Sequence, residues 1–372
     1  AAVNVGIRVH IEEIEAIVNN PEEPNFENTI LAYDKSGELL YKTLEPFYCL
    51  ISAETNDELQ ELAYEVSPML SEHSSSITLN EDLFKRIKTV YESRNESNLT
   101  PNQLRCVEKY YDDFARNGAN LNDEDKEELK KTNATLSKLY LQFDDNVLKE
   151  NNTFKMYLTK EEELAGLPQN VIDAAALAAK NDGNEGKYLF TLHKPSIIPF
   201  LQFSENRDLR EKIYTGYFTR GNNNDKYDNK ELILEIMKNR IKKAELLGFE
   251  NFAEYRISKN MAKHYKTVKD FIMDIWTPSL NVAKEEAKEL QGMMDLSSAH
   301  KDLKLEPWDW WYYSEQVRKH KYNLDENELK PYFSLDNVRD GVFYVSNKLY
   351  GINFTKLENI PTYHPDVEVF EI

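Results

Sequence analysis

The seven histidines, His10, His73, His193, His264, His300, His320 and His364, are the residues here best suited to metal or acid–base chemistry. A zinc-binding helix needs two imidazoles at i and i+4, so that both project from one face toward the ion. No H-E-x-x-H occurs, and no two of the histidines are close in the chain. Each is therefore read as an ordinary packed or surface histidine. Nucleophile motifs are equally absent: there is no G-x-S-x-G elbow and no legible Cys–His arrangement. "GNEGKY", Gly183 to Tyr188, lacks both the glycine spacing of a phosphate loop and a Ser or Thr after Lys187. Carboxylate pairs such as Asp112–Asp113 and Asp144–Asp145 carry no information among 65 acidic residues, because solvated helix faces account for them. No catalytic and no metal-ligating residue is assigned.

Two further groups could be chemical. Cys49 and Cys106 have no C-x-x-C spacing, lie inside apolar helical patterns, and are read as small core residues. The cluster Trp308, Trp310, Trp311, Tyr312 and Tyr313 leaves two uses open: packing between helices, the commoner role, and an aromatic cleft wall.

The elements that position these residues are mostly amphipathic helices. From Asp125 to Glu150, Leu129, Leu136, Leu139, Tyr140, Phe143, Val147 and Leu148 fall on one face, with charged residues opposite. A helix from Gln103 to Arg116 has Pro101 just before it and Gly118 just after. Around Asn151 the period changes to two, and Thr153–Thr159 and Lys187–Leu192 are expected to pair as a small sheet flanking a helix at Val171–Lys180. Helices resume over Asn206–Thr219, Asn229–Leu247, Phe252–Ser258 and Thr267–Met294, with Gly248 as a C-terminal cap and Thr219–Asn229 as a turn. "EPWDWWYYSEQVRK" opens another helix with Pro307 in its first turn. The last ten residues, "YHPDVEVFEI", alternate like a strand for which no following sequence supplies a partner.

Composition narrows the function classes. Forty-six basic against 65 acidic residues give a formal charge of −19, a field that repels phosphate backbones and anionic membranes. Nucleic acid and membrane are excluded as expected partners. No apolar run approaches the ~18 residues of a membrane span. The start, "AAVNVGIRVH", has neither an initiator Met nor a signal-peptide layout, so a missing leader or a longer chain is expected, cytoplasmic or periplasmic.

Whole phrases carry more than any single motif. "IEAIVNNPEEPNFENTILAYDKSGELL" (Ile14 to Leu40) resembles the N-terminal signature of the bacterial peptidyl-dipeptidases, or dipeptidyl carboxypeptidases, zinc metallopeptidases of the thimet oligopeptidase family. Further phrases follow in that family's order: "LTPNQLRCVEKYYDDFARNGANL" from Leu99, "LHKPSIIPFLQFSENRDLREKIY" from Leu192 and "RGNNNDKYDNKELI" from Arg220. Then come "KAELLGFENFAEY" from Lys243, "NMAK" at Asn260, "EPWDWWYYSEQVRKHKYNLDENELKPYF" from Glu306 and "NVRDGVFYVSNKLYGINF" from Asn337. The resemblance runs from about residue 10 to residue 372.

It implies a mainly α, zincin-like oligopeptidase fold, incomplete here, in which multi-helix lobes flank a deep channel. Residues 1–150 would form the N-terminal lobe and 151–205 a strand–helix–strand insertion and linker. Residues 206–350 would begin the second lobe, and 351–372 the active-site sheet, ahead of the zinc-binding helix. The implied parent uses zinc to release C-terminal dipeptides from short peptides and acts as a monomer. This chain, lacking the zinc motif, would bind none and be inactive. Tyr363, His364 and Asp366 are the candidates for the substrate cleft, although His364 and Asp366 more simply fix a turn. The alternative is a degenerate or naturally short peptide-binding helical protein without catalysis.

Overall fold

The computed structural model describes residues 1–300, 302–322 and 326–372. The chain divides into two compact units, Ala1–Leu148 with Gly221–Met273, and Lys149–Arg220 with Asp274–Ile372. The mainly helical expectation holds: sixteen α-helices, five short π- or 3₁₀-helical segments and two small antiparallel sheets make up the described elements. No helix among the described residues is long and apolar enough to cross a membrane.

The first unit opens with α1 (Ala2–Val18), a π-helical turn at Phe26–Leu31, α2 (Ala32–Lys35), α3 (Glu38–Ala53), α4 (Asp57–Thr78) and α5 (Glu81–Glu92). The starts are written in the sequence: Asn25, Asn56 and Asn80 each accept a hydrogen bond from the backbone N–H three residues on. In α6 (Pro101–Phe114), Thr100 and Gln103 form a reciprocal capping box around Pro101. A π-helical turn, Ala115–Ala119, then kinks at Gly118, whose φ of 99° belongs to glycine. A Cβ there would sit 2.6 Å from Leu129. The core is the set Ile14, Ile30, Leu83, Ile87, Val107 and Phe114, all nearly or fully buried.

Next comes α7 (Asp123–Thr153), which crosses the division between the units. Beyond Gly221 the chain returns to the first unit through Asn229, which is buried and bonded to Asn146 at 2.8 Å. In the second unit β1 (Met156–Leu158) pairs with β2 (Tyr188–Phe190), with Tyr157 opposite Leu189, on either side of α8 (Gln169–Asn181). The period-two signal located this sheet correctly, with strands shorter than expected. Then follow α9 (Lys194–Phe203) and α10 (Arg207–Phe218), and together these elements enclose Met156, Leu158, Phe190, Leu192, Phe200 and Ile213.

In the first unit again, α11 (Lys230–Leu246) ends at Gly248 with φ +75°, as a left-handed cap should, and α12 (Phe252–Ile257) follows. The long α13 (Tyr265–Asp295) crosses to the second unit. A 3₁₀ turn at Pro307–Asp309 precedes α14 (Trp310–Tyr322), α15 (Glu326–Leu329) and α16 (Leu335–Tyr350).

Two expectations need correction. Cys49 is exposed, because the buried side of α3 is its start at Leu40 and Cys49 lies off that side. Cys106 does pack against the first core, half-buried. The terminal strand has a partner after all: β3 (Thr355–Leu357) lies antiparallel to β4 (Val369–Glu371), with Leu357 opposite Val369. The partner was missed because a three-residue strand between Phe354 and Glu358 carries too short an alternation to read.

Candidate functional site

The segment between β3 and β4 holds all three residues singled out for substrate contact. Tyr363 is half-exposed, at 50%, and Asp366 is exposed. His364 Nδ1 accepts from the Asp366 backbone N–H at 3.2 Å, and the Thr362 hydroxyl donates to the His364 carbonyl at 3.1 Å. The Asp366 carboxylate stands 3.7 Å from His364 Nδ1. These contacts are those of a turn, and they bring Tyr363, His364 and Asp366 into one short loop.

The hairpin sits on α16 through aromatic rings. Phe343 stacks on Phe354 with ring centres 4.1 Å apart and meets Phe370 edge-on at 4.9 Å. Glu368 accepts from Arg339 at 2.6 Å and also pairs with Lys356. Those two cations, Lys356 foremost, hold its carboxyl below the ordinary carboxylate range.

The second unit also holds a buried ionic cluster that the sequence reading did not find. Asp309, fully buried, accepts from Arg210 Nη2 at 2.8 Å and from Arg207 Nη2 at 2.8 Å. The Arg207 Nε–H points at both of its oxygens at 3.1 Å, and the Glu306 backbone N–H reaches it at 3.1 Å. Arg210, also fully buried, spends Nη1 on the Ser204 carbonyl at 2.8 Å and lies over the Tyr312 ring, 4.3 Å from its centre. A doubly bonded, charge-assisted clamp of this kind fixes orientation as well as distance. It ties "ENRDLRE" on α10 to "EPWDWW" ahead of α14. The signal was two arginines at i and i+3 on one helix face, which must share a partner if both are to be buried.

The aromatic cluster is packing. Trp311 lies against the core of the second unit, while Trp310, Tyr312 and Tyr313 close around Leu290 and Met294. Burial raises the Tyr313 phenol to about 12, so its hydroxyl stays protonated; it lies 2.7 Å from His300 Nδ1.

In the first unit two histidines distant in sequence meet. His73 Nε2 lies 3.0 Å from His10 Nδ1, and His10 Nε2 lies 3.1 Å from Ser36 Oγ. Ser36 Oγ donates to the Tyr33 carbonyl at 2.8 Å, so it accepts from His10 Nε2–H. His10 Nδ1 is then the acceptor, and His73 Nε2–H the donor. Among the described residues no group of three or more His, Cys, Asp or Glu side chains could hold a metal ion. The histidine pair therefore does not fit zinc, and no step is assigned through one.

Comparison with known proteins supplies what the geometry does not. Residues 200–372 match the model of peptidase family M3. The whole chain is 37% identical over 372 residues to the dipeptidyl carboxypeptidase of Escherichia coli strain K12, covering 54% of that protein. It is 36% identical, at the same coverage, to that of Salmonella typhimurium. Oligopeptidase A of Escherichia coli is 31% identical over 366 residues, 97% of this chain and 53% of the relative. The chain thus spans about half the length of these relatives. It is similar over its whole length to the N-terminal portion of the dipeptidyl carboxypeptidases, and its second half matches the family M3 peptidase model.

Proposed function

We propose that this chain is the N-terminal part of a zinc peptidyl-dipeptidase that releases C-terminal dipeptides from short peptides. The observation that carries the reading is the end-to-end similarity to the dipeptidyl carboxypeptidases, higher than that to oligopeptidase A. Zinc in such a parent would polarise the scissile carbonyl and lower the pKa of a bound water. The residues here would contribute shape and positioning: the clamp at Asp309 holds α10 and α14, and the α16–hairpin pair holds Tyr363 and His364. Two features support that reading. On α16, Leu335, Val338, Val342, Val345 and Leu349 form a heptad-spaced apolar stripe, each 44% or more exposed. No residue of that helix is buried, as expected of a surface that belongs against further protein.

The test compares the 372-residue chain with the product of the complete coding sequence, using an N-blocked tetrapeptide and zinc analysis. The longer product is expected to release the C-terminal dipeptide, to hold one zinc, and to lose activity to a chelator. The chain itself is expected to do neither. Stoichiometric zinc or cleavage by the 372-residue chain would overturn the assignment of catalysis to the remainder. A longer product that cleaves only internal bonds would overturn the dipeptidase reading.

A further inference from the structure

The first unit holds a cavity of about 670 Å³ between α4, α7, α11 and α12, a size that accommodates a small molecule. Three cations line it, Arg240, Lys243 and Arg256, and no carboxylate does. In a chain of charge −19 that is the reverse of expectation. The contrast is local as well. Lys242 pairs with Glu128, whereas its neighbour Lys243 donates to the amide oxygen of Asn133 at 2.7 Å and lies over the Tyr255 ring. Arg240 donates to the Tyr140 hydroxyl at 2.9 Å. No ion pair to any of the three is found among the described residues.

The rest of the lining suits an anion with many acceptor oxygens. Ser67, Ser71, Ser74 and Ser75 stand along one side of α4, and Ser137 on α7 joins them. Ser75 is only 5% exposed and lines the cavity. Burial, and then the nearby Arg256, hold the Lys243 ammonium below its ordinary pKa, as expected where positive charge gathers without a counter-ion. Tyr140, Phe252 and Tyr255 add aromatic wall.

We propose that this cavity binds a small phosphate-bearing molecule, its phosphate oxygens taken by Lys243, Arg256 and Arg240 with the serine hydroxyls of α4. Three cations and several hydroxyl donors match a group with three or more charged oxygens better than a single carboxylate, which offers two. The inference rests on the first unit alone and does not depend on the peptidase reading.

The experiment is calorimetric titration of the whole chain with inorganic pyrophosphate, with ADP as an organic carrier of the same group and citrate as a carboxylate control. Expected are one saturable site for pyrophosphate or ADP, a melting temperature raised by the same ligand, and weaker citrate binding. Arg256→Gln, at the exposed rim, and Lys243→Met should each weaken binding by about tenfold or more, the loss of one charge-assisted contact. If Lys243→Met does not fold, Arg256→Gln alone decides. No saturable binding up to about 10 mM pyrophosphate or ADP, or binding unchanged in Arg256→Gln, would overturn the proposal. Citrate binding as tight and as sensitive to the variants would overturn the phosphate assignment.

Discussion

Replacing Asp309 with alanine tests the buried clamp most directly. Asp309 and Arg210 side chains are both fully buried, and Arg207 is 18% exposed. Alanine would leave the Arg210 guanidinium inside the protein with two carbonyls and no counter-charge. Removing one member of a buried ionic group costs about 3–5 kcal/mol, because the remaining charge stays desolvated. Arg207 swings partly into water, so the loss belongs chiefly to Arg210. Asp309→Asn keeps an acceptor and loses the charge, which should cost about 2 kcal/mol. Replacing the whole triad with apolar residues, Arg207→Met, Arg210→Met and Asp309→Leu together, should recover most of the deficit, since no charge then remains buried. All four tryptophans, Trp276, Trp308, Trp310 and Trp311, belong to the second unit, so urea unfolding followed by tryptophan fluorescence reports that unit alone. With a slope of about 3 kcal/mol/M, the alanine variant should lower the midpoint by roughly 1 M. An alanine variant within about 1 kcal/mol of the parent, or a triple variant no better than it, would refute the argument.

Three other outcomes are expected. Burial lowers the pKa of both His10 and His73 from 6.5, and His73 is lowered further by His10; His73 Nδ1 is buried with no partner to receive its proton. The native state therefore binds fewer protons than the unfolded chain below pH 6.5. Stability from this pair is present above that pH and is lost as pH falls through the lowered native values, at about 1.4 kcal/mol per unit of depression. Circular-dichroism melts of the parent should show this loss, and His10→Asn/His73→Met should flatten it; an unchanged slope would exclude the pair as its source. Gly37 has φ +78°, and a Cβ there would come 2.8 Å from the His10 ring, so Gly37→Ala should destabilise by about 1–3 kcal/mol in the same melts. A neutral variant would contradict that geometry. The apolar stripe on α16 should drive self-association of the 372-residue chain; Val342→Lys with Leu349→Lys should reduce it in light scattering without changing the melting temperature. Unchanged association would place the sticky surface elsewhere.

Much of the local structure was legible in the residues. Thr100, Pro101 and Gln103 start α6 and Gly118 kinks the turn after it, because capping bonds and a left-handed φ are satisfied within a few residues. The strand pair around α8 was legible because a seven-residue alternation, Thr153–Thr159, and a six-residue apolar run, Lys187–Leu192, mark its two strands. Misreadings arose where burial depends on distant chain. Cys49 sits in an apolar-looking pattern but faces outward, and Asp145, in a pair attributed to solvated faces, is buried and accepts from the Tyr64 hydroxyl at 3.0 Å.

What the sequence by itself determined, then, was the helical class, the caps that set helix ends, the small first sheet and the similarity to the peptidyl-dipeptidases. These follow from periodicity, from hydrogen bonds closed between near neighbours, and from ordered phrases. Tertiary structure alone decided which charges meet. Arg210 finds Asp309, His10 finds His73, and Arg240, Lys243 and Arg256 gather without a carboxylate. Each of those encounters joins separate elements, and electrostatic energy depends on distance and desolvation, neither of which a linear order of residues contains.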